Sequence, residues 1–222
     1  MFSRREFLAT STSAIPYVAL GRRWSHASVL RIGTVTDATR PELERGLAFG
    51  VAEAQRSASL FQWTVERVPL AVSGATPATP PVSTVIMAAV GPPPNDTVPV
   101  LRLVCDPSRT DDGSFILAPC EHGEENEVWQ PTLERYGAAQ LNDRYRSATG
   151  RPMSGDAWLG WFAVKLLADS ALKLRTADPR RLQAHLALST TVFDGHKGAP
   201  LRFDGRRRLV QPLYAKSGRP TG

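Results

Sequence analysis

The sequence predicts an α/β domain in which a mostly parallel β-sheet is flanked by helices and the chain closes with a β-hairpin. Short apolar runs at residues 29–35, 82–90 and 98–104 have the length and composition of buried strands. An amphipathic helical pattern separates the first two runs. Near the end, Asp204-Gly205 joins two further apolar runs, which indicates a hairpin because glycine tolerates the positive φ of tight turns. Short buried strands mixed with amphipathic helices favour an α/β sheet over a β-sandwich.

The first strand ends at the polar residues 36–37 and leads into a helix. Thr39 and Glu42 fit a capping box, and Pro41 suits the first helical turn. Glycines within residues 45–50 indicate close packing of this helix. Its apolar side comprises Leu43, Leu47, Val51, Ala54 and Ala58.

Four more segments complete the predicted sheet. Residues 61–70 alternate between apolar and polar, which is typical of a strand with one solvent-exposed face. A loop rich in proline, alanine and threonine follows at 71–81. The continuous apolar runs at 82–90 and 98–104 predict buried strands, and 115–118 is a further core strand.

The second half of the chain is predicted to be helical. Residues 129–148 carry apolar side chains at helical spacing. Ser154 can cap a helix over 155–174. Apolar side chains occupy most faces of this helix, so it is expected to be buried against the sheet. Asp178, followed by a proline, starts a helix over 179–188.

The closing hairpin consists of the runs 199–203 and 209–214 around a turn that contains three arginines, Arg206, Arg207 and Arg208. We expect it to pair at the edge of the sheet, because an isolated two-stranded hairpin is marginal in water. The arginines have no aromatic residues between them, so they indicate a solvated turn and not a nucleic-acid-binding surface.

The N-terminus has the pattern of a secretory signal over residues 1–27. Arg4 and Arg5 precede an apolar run at 8–20, and the small-residue segment 25–27 provides a cleavage site after Ala27. The arginine pair followed by Phe-Leu resembles a twin-arginine leader, with an ordinary Sec signal or a buried helix as the alternatives. The apolar run is too short to span a bilayer, for which about 20 residues are needed. Removing the leader takes away four arginines and one glutamate, so the net charge falls from +6 to +3.

The remaining residues predict one domain over 28–216 and a disordered tail over 217–222. About 195 residues are too few for two domains of typical size. Cys105 and Cys120 lie near the ends of two predicted neighbouring strands. In an oxidising compartment they can form a disulfide, and the alternative is a pair of buried thiols.

The residue patterns contain no catalytic constellation, and we expect a binding protein and not an enzyme. None of the four histidines belongs to a metalloprotease motif, and no nucleophile elbow or phosphate-binding loop is present. A binding module built on an α/β sheet binds at the loops beyond the carboxyl ends of its strands. The candidate ligand-binding residues, each of which can equally belong to an ordinary polar turn, are therefore Thr36, Asp37, Asn95, Asp106, Ser108 and Thr110.

One segment, 111–127, concentrates acidic residues without a lysine or arginine. Hard cations bind clustered carboxylate oxygens, so this segment is a candidate metal site, with a solvated acidic loop beside a helix N-terminus as the alternative. No other cofactor is indicated. The candidate ligands are Asp111, Asp112, Glu121, His122, Glu124 and Glu125.

Residues 129–216 resemble a known family. The segments "YGAAQLNDRYRSATGRPMS", "WFAVKLLADSAL", "DPRRLQAHL" and "FDGHKGAPLRFDGRRRLVQPLYAK" are similar to the C-terminal third of type I periplasmic binding proteins of branched-chain amino-acid ABC transporters. They are most similar to the Leu/Ile/Val-binding-like proteins associated with PQQ-dependent alcohol oxidation. The earlier segments "IGTV", "VIMAAVGPP", "VPVLRLVCDPSRT" and "FILAPCEHGEE" follow the order of the N-terminal lobe of that family.

The resemblance implies a single Rossmann-like, type I periplasmic-binding-protein lobe, exported to the periplasm. It implies an ABC-transporter substrate-binding protein for amino-acid transport, with an ABC permease or a periplasmic alcohol-oxidation component as partner. Since alcohol-oxidation systems use calcium or lanthanides, it also gives weight to the acidic segment as a metal site. The alternative is a partner-binding or structural lobe that captures no small ligand.

The sequence departs from the family in two respects. The family places a whole second lobe after the strand at 115–118, whereas here the chain reaches Trp129 directly, so the second lobe is expected to be missing. Where the family has Gly-Pro followed by a hydroxyl residue, this sequence has "GPPPND", whose prolines cannot donate a backbone hydrogen bond. Where the family has a Ser/Thr/Ala-rich loop, "CDPSRTDD" keeps Ser108 and Thr110 but adds three carboxylates. Capture of an amino acid between two lobes is therefore in question.

Overall fold

Parallel strands occupy the first half of the chain, and helices and small antiparallel sheets occupy the second. The computed structural model describes residues 28–70, 81–93, 97–105, 112–120 and 126–215, together with the backbone of 220–221. The helices are α1 (Pro41–Ser59), α2 (Ala138–Thr149), α3 (Gly155–Leu174) and α4 (Pro179–Ala187). The strands are β1 (Ser28–Val35), β2 (Trp63–Pro69), β3 (Thr84–Met87), β4 (Val100–Arg102), β5 (Phe115–Ile116), β6 (Asn126–Glu127), β7 (Phe193–Asp194), β8 (Pro200–Phe203), β9 (Leu209–Val210), β10 (Leu213–Ala215) and β11 (Pro220–Thr221).

The main sheet has five strands in the order β2-β1-β3-β4-β5, and each neighbouring pair is parallel. The predicted α/β sheet is therefore confirmed, with each strand shorter than or close to its apolar run. Because all five strands run in one direction, their carboxyl ends meet at one edge of the sheet.

The alternation of side chains along the strands separates two apolar clusters. Ile32, Ile86 and Leu101 belong to the larger cluster, to which α1, α2, α3 and α4 contribute. Val85 and Met87 point to the other face and belong to a smaller cluster of strand and loop residues. Successive side chains of a strand point to opposite faces, so one face of the sheet carries the helical layer.

Helices α1 and α3 cross at very short range because glycines lie at the crossing. A β-carbon added to Gly46 would lie 2.1 Å from the carbonyl oxygen of Ala157, and one added to Gly160 would lie 2.5 Å from that of Leu43. The close packing predicted from the glycines of α1 is confirmed. Gly46 faces Ala157 and Gly50 faces Trp161, so the two helices run parallel. Because α1 follows the carboxyl end of β1, both N-termini lie at the carboxyl edge of the sheet.

The predicted capping box of α1 and the predicted start of α2 are wrong, whereas Pro41 lies in the first turn of α1 as expected. The N-cap of α1 is Arg40, which makes no side-chain cap hydrogen bond, so Thr39 and Glu42 form no capping box. Instead, the backbone N–H of Thr39 donates to Asp37 Oδ1 at 2.9 Å. Helix α2 begins at residue 138 and not at 129, because Tyr136 and Gly137 have positive φ angles that a right-handed helix excludes.

The starts of α3 and α4 agree with the sequence. Ser154 Oγ accepts a hydrogen bond from the backbone N–H of Ala157 at 3.2 Å, and Asp178 Oδ1 accepts one from that of Arg181 at 2.9 Å. Helix α3 is buried along most of its length, as its apolar composition predicts.

The closing hairpin forms, but its turn differs from the prediction. Strands β8 and β9 pair antiparallel, and β7 adds a third strand on the other side. The residue with positive φ is Arg207, at 58°, and not Gly205. The Asp204 carboxylate stabilises this turn by accepting the backbone N–H groups of Arg206 and Arg208, both at 2.8 Å.

The hairpin docks on the edge of the main sheet, as expected. The backbone N–H of Ile116 donates to the carbonyl of Arg207 at 2.9 Å, and the Gln211 side chain donates to the carbonyl of Leu117 at 2.8 Å. The predicted strand at 209–214 is divided, since β9 stays in the hairpin and β10 pairs with β6 and β11. Pro212, which lacks a backbone N–H, lies between the two parts.

The two ends of the chain stay largely untested. The predicted leader over 1–27 lies outside the described residues. In the tail, for which we expected disorder, the backbone of Pro220–Thr221 pairs with β10, and residues 217–219 and 222 lie outside the described part.

No helix among the described residues has both the length and the apolar character needed to cross a membrane.

Candidate functional site

A groove of about 640 Å³ lies at the carboxyl edge of the main sheet, where β4 and β5 end and the N-termini of α1 and α3 converge. Buried apolar side chains form its floor, among them Leu103, Val128 and Leu159. Its polar lining is supplied by Arg40, Glu42, Asn126, Glu127, Ser154 and Asp156. We refer to this feature as the carboxyl-edge groove.

An ion pair between the two helix N-termini dominates the groove. Arg40 donates to both oxygens of Asp156, at 3.1 Å from Nε and 2.5 Å from Nη2, and its Nη1 reaches the Leu103 carbonyl at 3.4 Å. Asp156 lies in the first turn of α3, where a carboxylate is favoured by the helix dipole. The guanidinium is therefore largely occupied by groups of the protein itself.

Glu42 lies beside this pair with its two oxygens in different surroundings. Oε1 accepts from Arg45 and from Arg151, the latter at 3.5 Å. Oε2 is buried without a hydrogen-bond partner among the described residues, and the same is true of the Tyr145 hydroxyl. Burial and the nearby Glu42 charge raise the pKa of Tyr145 above its ordinary value. The phenol therefore stays neutral at physiological pH.

Most predicted ligand-binding residues cannot be compared with the structure. Thr36 and Asp37 follow β1 at the carboxyl edge, as expected, yet neither lines the groove. The hydrogen bond from the Thr39 backbone lowers the pKa of the fully exposed Asp37. The other four predicted residues, Asn95, Asp106, Ser108 and Thr110, lie outside the described residues.

The acidic segment has one described member among its predicted metal ligands, Asp112. Its carboxylate pairs with the buried guanidinium of Arg102 and accepts the backbone N–H of Ser114 at 3.0 Å. Burial alone would raise the pKa of Asp112, but these hydrogen bonds and the Arg102 charge lower it. The acidic segment contains no lysine or arginine of its own. Arg102 of the neighbouring strand β4 supplies the positive charge that pairs with Asp112.

No group of three potential metal ligands occurs within the part of the chain that the structure describes. Five of the six predicted ligands, Asp111, Glu121, His122, Glu124 and Glu125, lie outside that part. The metal site stays a prediction.

Cys105 and Cys120 are joined by a disulfide bond, with their Cα atoms 5.2 Å apart. The bond links the chain just after β4 to the chain just after β5, and Cys105 lines the carboxyl-edge groove. It therefore holds together the two strand ends that border the groove.

Arg40 and Asp156, whose ion pair lies in the groove, are not among the site residues predicted from the sequence. A signal was available, because each stands at the start of a predicted helix. Without knowing that α1 and α3 run parallel, however, the two helix N-termini could not be placed side by side.

Neither protein-family models nor curated proteins match the sequence. Solved structures do. A possible leucine/isoleucine/valine-binding protein from Rhodopirellula baltica SH 1 is similar over 88% of this chain and 97% of its own, with a TM-score of 0.54 and 10% identity.

Longer structures match as well. A branched-chain amino-acid ABC transporter periplasmic ligand-binding protein from Burkholderia xenovorans LB400 matches over 85% of this chain and 53% of its own, with a TM-score of 0.37 and 12% identity. A branched-chain amino-acid transporter substrate-binding protein from Streptococcus pneumoniae, in complex with isoleucine, matches over 86% and 60%, with a TM-score of 0.36 and 13% identity. This chain spans about half the length of the Burkholderia protein.

At these identities the similarity concerns the fold alone. The chain has a mostly parallel five-stranded sheet flanked by helices and a C-terminal hairpin, the arrangement of a single lobe of a type I periplasmic binding protein. Its fold is similar to that of the possible leucine/isoleucine/valine-binding protein from Rhodopirellula baltica SH 1.

Proposed function

We propose that this protein is an exported, solute-binding-like protein related to the substrate-binding components of ABC importers, and that it holds its ligand in the carboxyl-edge groove. The observation that carries the proposal is the position of the groove. It opens at the carboxyl ends of parallel strands, where α/β sheets bind ligands. Its apolar floor and its few polar side chains are typical of small-molecule sites.

The proposed export, the proposed partner system and the proposed lack of a second lobe rest on the sequence. The arginine pair at 4–5 and the small residues at 25–27 support export to the periplasm by the twin-arginine route. The resemblance of residues 129–216 to type I periplasmic binding proteins supports a role alongside a PQQ-dependent alcohol-oxidation system or an ABC permease. The short connection between Cys120 and Trp129 supports a chain that lacks the second lobe.

A second candidate function is a partner-binding lobe without small-ligand capture. It is favoured by the ion pair of Arg40 with Asp156, because a guanidinium already bound by a carboxylate and a carbonyl has little capacity left for a ligand. It is also favoured by the openness of the groove, because a site with one wall leaves a small molecule largely solvated.

Thermal-shift measurements separate the two functions. The protein lacking residues 1–27 would be screened against leucine, isoleucine, valine, pyrroloquinoline quinone, Ca²⁺ and La³⁺. A ligand that binds only the native state raises the apparent stability, so a saturable rise in melting temperature with one of these probes supports solute binding.

The position of binding is tested with a charge reversal in the groove. Glu127→Arg places a bulky cation in the groove lining and should abolish the rise, whereas Glu134→Arg, at an exposed position outside the groove, should leave it intact. No response to any probe favours the partner-binding lobe. A response that both variants retain would show that the ligand binds elsewhere.

A further inference from the structure

A second cavity, of about 330 Å³, lies among α1, α2 and α3 and shares no lining residue with the carboxyl-edge groove. The segment that follows β7 contributes His196 to its wall. Side chains that carry charge or hydrogen-bonding groups converge on it from four separate segments of the chain. The principal ones are Glu53, Arg56, Arg144, Trp161, Lys165 and His196. We call it the helix-junction cavity.

Glu53 is the shared acceptor of this cavity. Its carboxylate accepts hydrogen bonds from Arg144 Nε at 2.7 Å and from Trp161 Nε1 at 2.8 Å, and it lies 3.6 Å from Arg56 Nη2. Burial alone would raise the pKa of Glu53, but the hydrogen bonds from Arg144 and Trp161 lower it. One carboxylate therefore serves two guanidinium groups and an indole.

Arg56 is the least engaged of the cations. Its contact with Glu53 is the longest of the three, and its side chain is 66% exposed, compared with 18% for Glu53. The opposite wall carries Lys165, which pairs with Asp169 one turn later on α3. Among the described residues that line the cavity, three cationic side chains thus face two carboxylates, which gives this set an excess of one positive charge.

His196 adds a further polar group. Its ring lies 5.5 Å from the Trp161 ring, and its backbone is left-handed, with φ at 59°. Within the described residues its backbone N–H donates to Asp194, but its imidazole makes no hydrogen bond. Such a side chain at the wall of a cavity can donate to a ligand.

We propose that the helix-junction cavity binds a small organic monocarboxylate. Arg56 and His196 would donate to the carboxylate oxygens, with the charge balanced by the local excess of one cation. The hydrocarbon part would contact Ala168 and Leu172, which also line the cavity. A dianion is disfavoured, because Glu53 and Asp169 would repel its second charge.

The test follows the indole N–H signals of the protein by ¹H–¹⁵N NMR during titration with acetate, benzoate, inorganic phosphate or chloride at constant ionic strength. The Trp161 indole donates to Glu53 within the cavity, whereas the Trp129 indole donates to Asn142 elsewhere and serves as the internal reference. We expect a carboxylate to shift the Trp161 signal saturably, with a dissociation constant on the order of 1 mM, and to leave that of Trp129 in place.

A matched pair of variants locates the site. Arg56→Met should weaken carboxylate binding about tenfold, because it removes one charge-assisted hydrogen bond. Arg146→Met is the control, since Arg146 is also exposed, also paired with an acid three residues away, at 3.5 Å, and lies outside the cavity. It should bind as the unmodified protein does.

Three results would overturn the proposal. One is a chloride response as large as that of the carboxylates, and another is equal binding by Arg56→Met and Arg146→Met. The third, binding of phosphate more tightly than either carboxylate at a pH where phosphate is a dianion, would contradict the assignment to a singly charged ligand.

Discussion

At the scale of single residues, Arg102 of β4 binds the segments that follow β3 and precede β5. Its side chain is 1% exposed. The guanidinium donates to the Gly91 carbonyl at 3.0 Å and to Ser114 Oγ at 3.2 Å, and it pairs with Asp112. A buried guanidinium is tolerated only when its donors are satisfied, so this one residue links the segments after β3 and before β5 to β4.

Replacing Arg102 with methionine should destabilise the fold by about 2–4 kcal/mol, because Asp112 loses its counter-charge while still partly buried. Urea unfolding would measure the change. The double variant Arg102→Met with Asp112→Asn should recover part of the loss, since the unpaired charge is gone. Arg202→Met, on the exposed face of β8, is the control. A loss below about 1 kcal/mol for Arg102→Met would contradict this account.

Lys197 presents a different kind of buried cation. Its Nζ donates to Gln211 Oε1 at 2.6 Å and to the Pro212 carbonyl at 3.1 Å, and it lies 4.0 Å from the centre of the Trp158 ring. Both hydrogen-bond acceptors are neutral groups. Burial lowers the pKa of Lys197 well below its ordinary value of 10.5.

This shift predicts the direction of a pH effect on stability. Between the lowered pKa of the folded state and about 10.5, the unfolded chain binds more protons than the folded one, so the free energy of unfolding should rise with pH there. Urea unfolding at a series of increasing pH values up to about 10 would show the rise. Lys197→Met should flatten this part of the profile, whereas Lys173→Met, an exposed residue of α3, should preserve it. An unchanged slope in Lys197→Met would assign the effect to another group.

At the scale of elements, the crossing of α1 and α3 depends on the absence of side chains. Gly46, Gly50 and Gly160 all lie where the backbone of the other helix approaches. Glycine weakens a helix by about 1 kcal/mol relative to alanine. That cost is offset here because the close approach lets the large apolar surface of α3 pack on α1 and on the sheet beneath it.

Gly46→Ala should therefore destabilise the protein by about 3 kcal/mol or more, although alanine is the better helix former. Its β-carbon would lie 2.1 Å from a backbone oxygen, which cannot move without shifting α3. Thermal or urea unfolding would measure the loss. Gly205→Ala, where an added β-carbon meets nothing within 4 Å, should change stability by less than about 0.5 kcal/mol. A Gly46→Ala variant as stable as the parent would show that the two helices can separate.

At the scale of the whole molecule, the disulfide joins two strand ends that only the folded sheet brings together. Cys105 and Cys120 are separated by 15 residues in sequence, and chain-entropy estimates for such a loop give about 3 kcal/mol of stabilisation. The double variant Cys105→Ser with Cys120→Ser should lose about this amount in urea unfolding, and a reducing agent should then have no further effect. Two reactive thiols in titrated native material would rule out the bond in the cell.

The order and type of the main elements follow from local residue patterns. Apolar runs at 29–35, 82–90 and 98–104 predicted strands that the structure contains, because continuous apolar segments must be buried. Ser154 and Asp178 predicted two helix starts, because hydrogen bonds of a side chain to the next turn are local. Local chemistry of this kind needs no knowledge of the partner element.

Contacts between distant residues depend instead on how the elements pack in three dimensions. Arg40 and Asp156 are 116 residues apart, and only the parallel crossing of α1 and α3 places them in one groove. The turn of the hairpin uses Arg207 and not Gly205 for its left-handed residue, because the Asp204 carboxylate and the edge of β5 hold the turn. Side-chain pairing and edge docking depend on where elements lie in space, and residue patterns along the chain do not record that position.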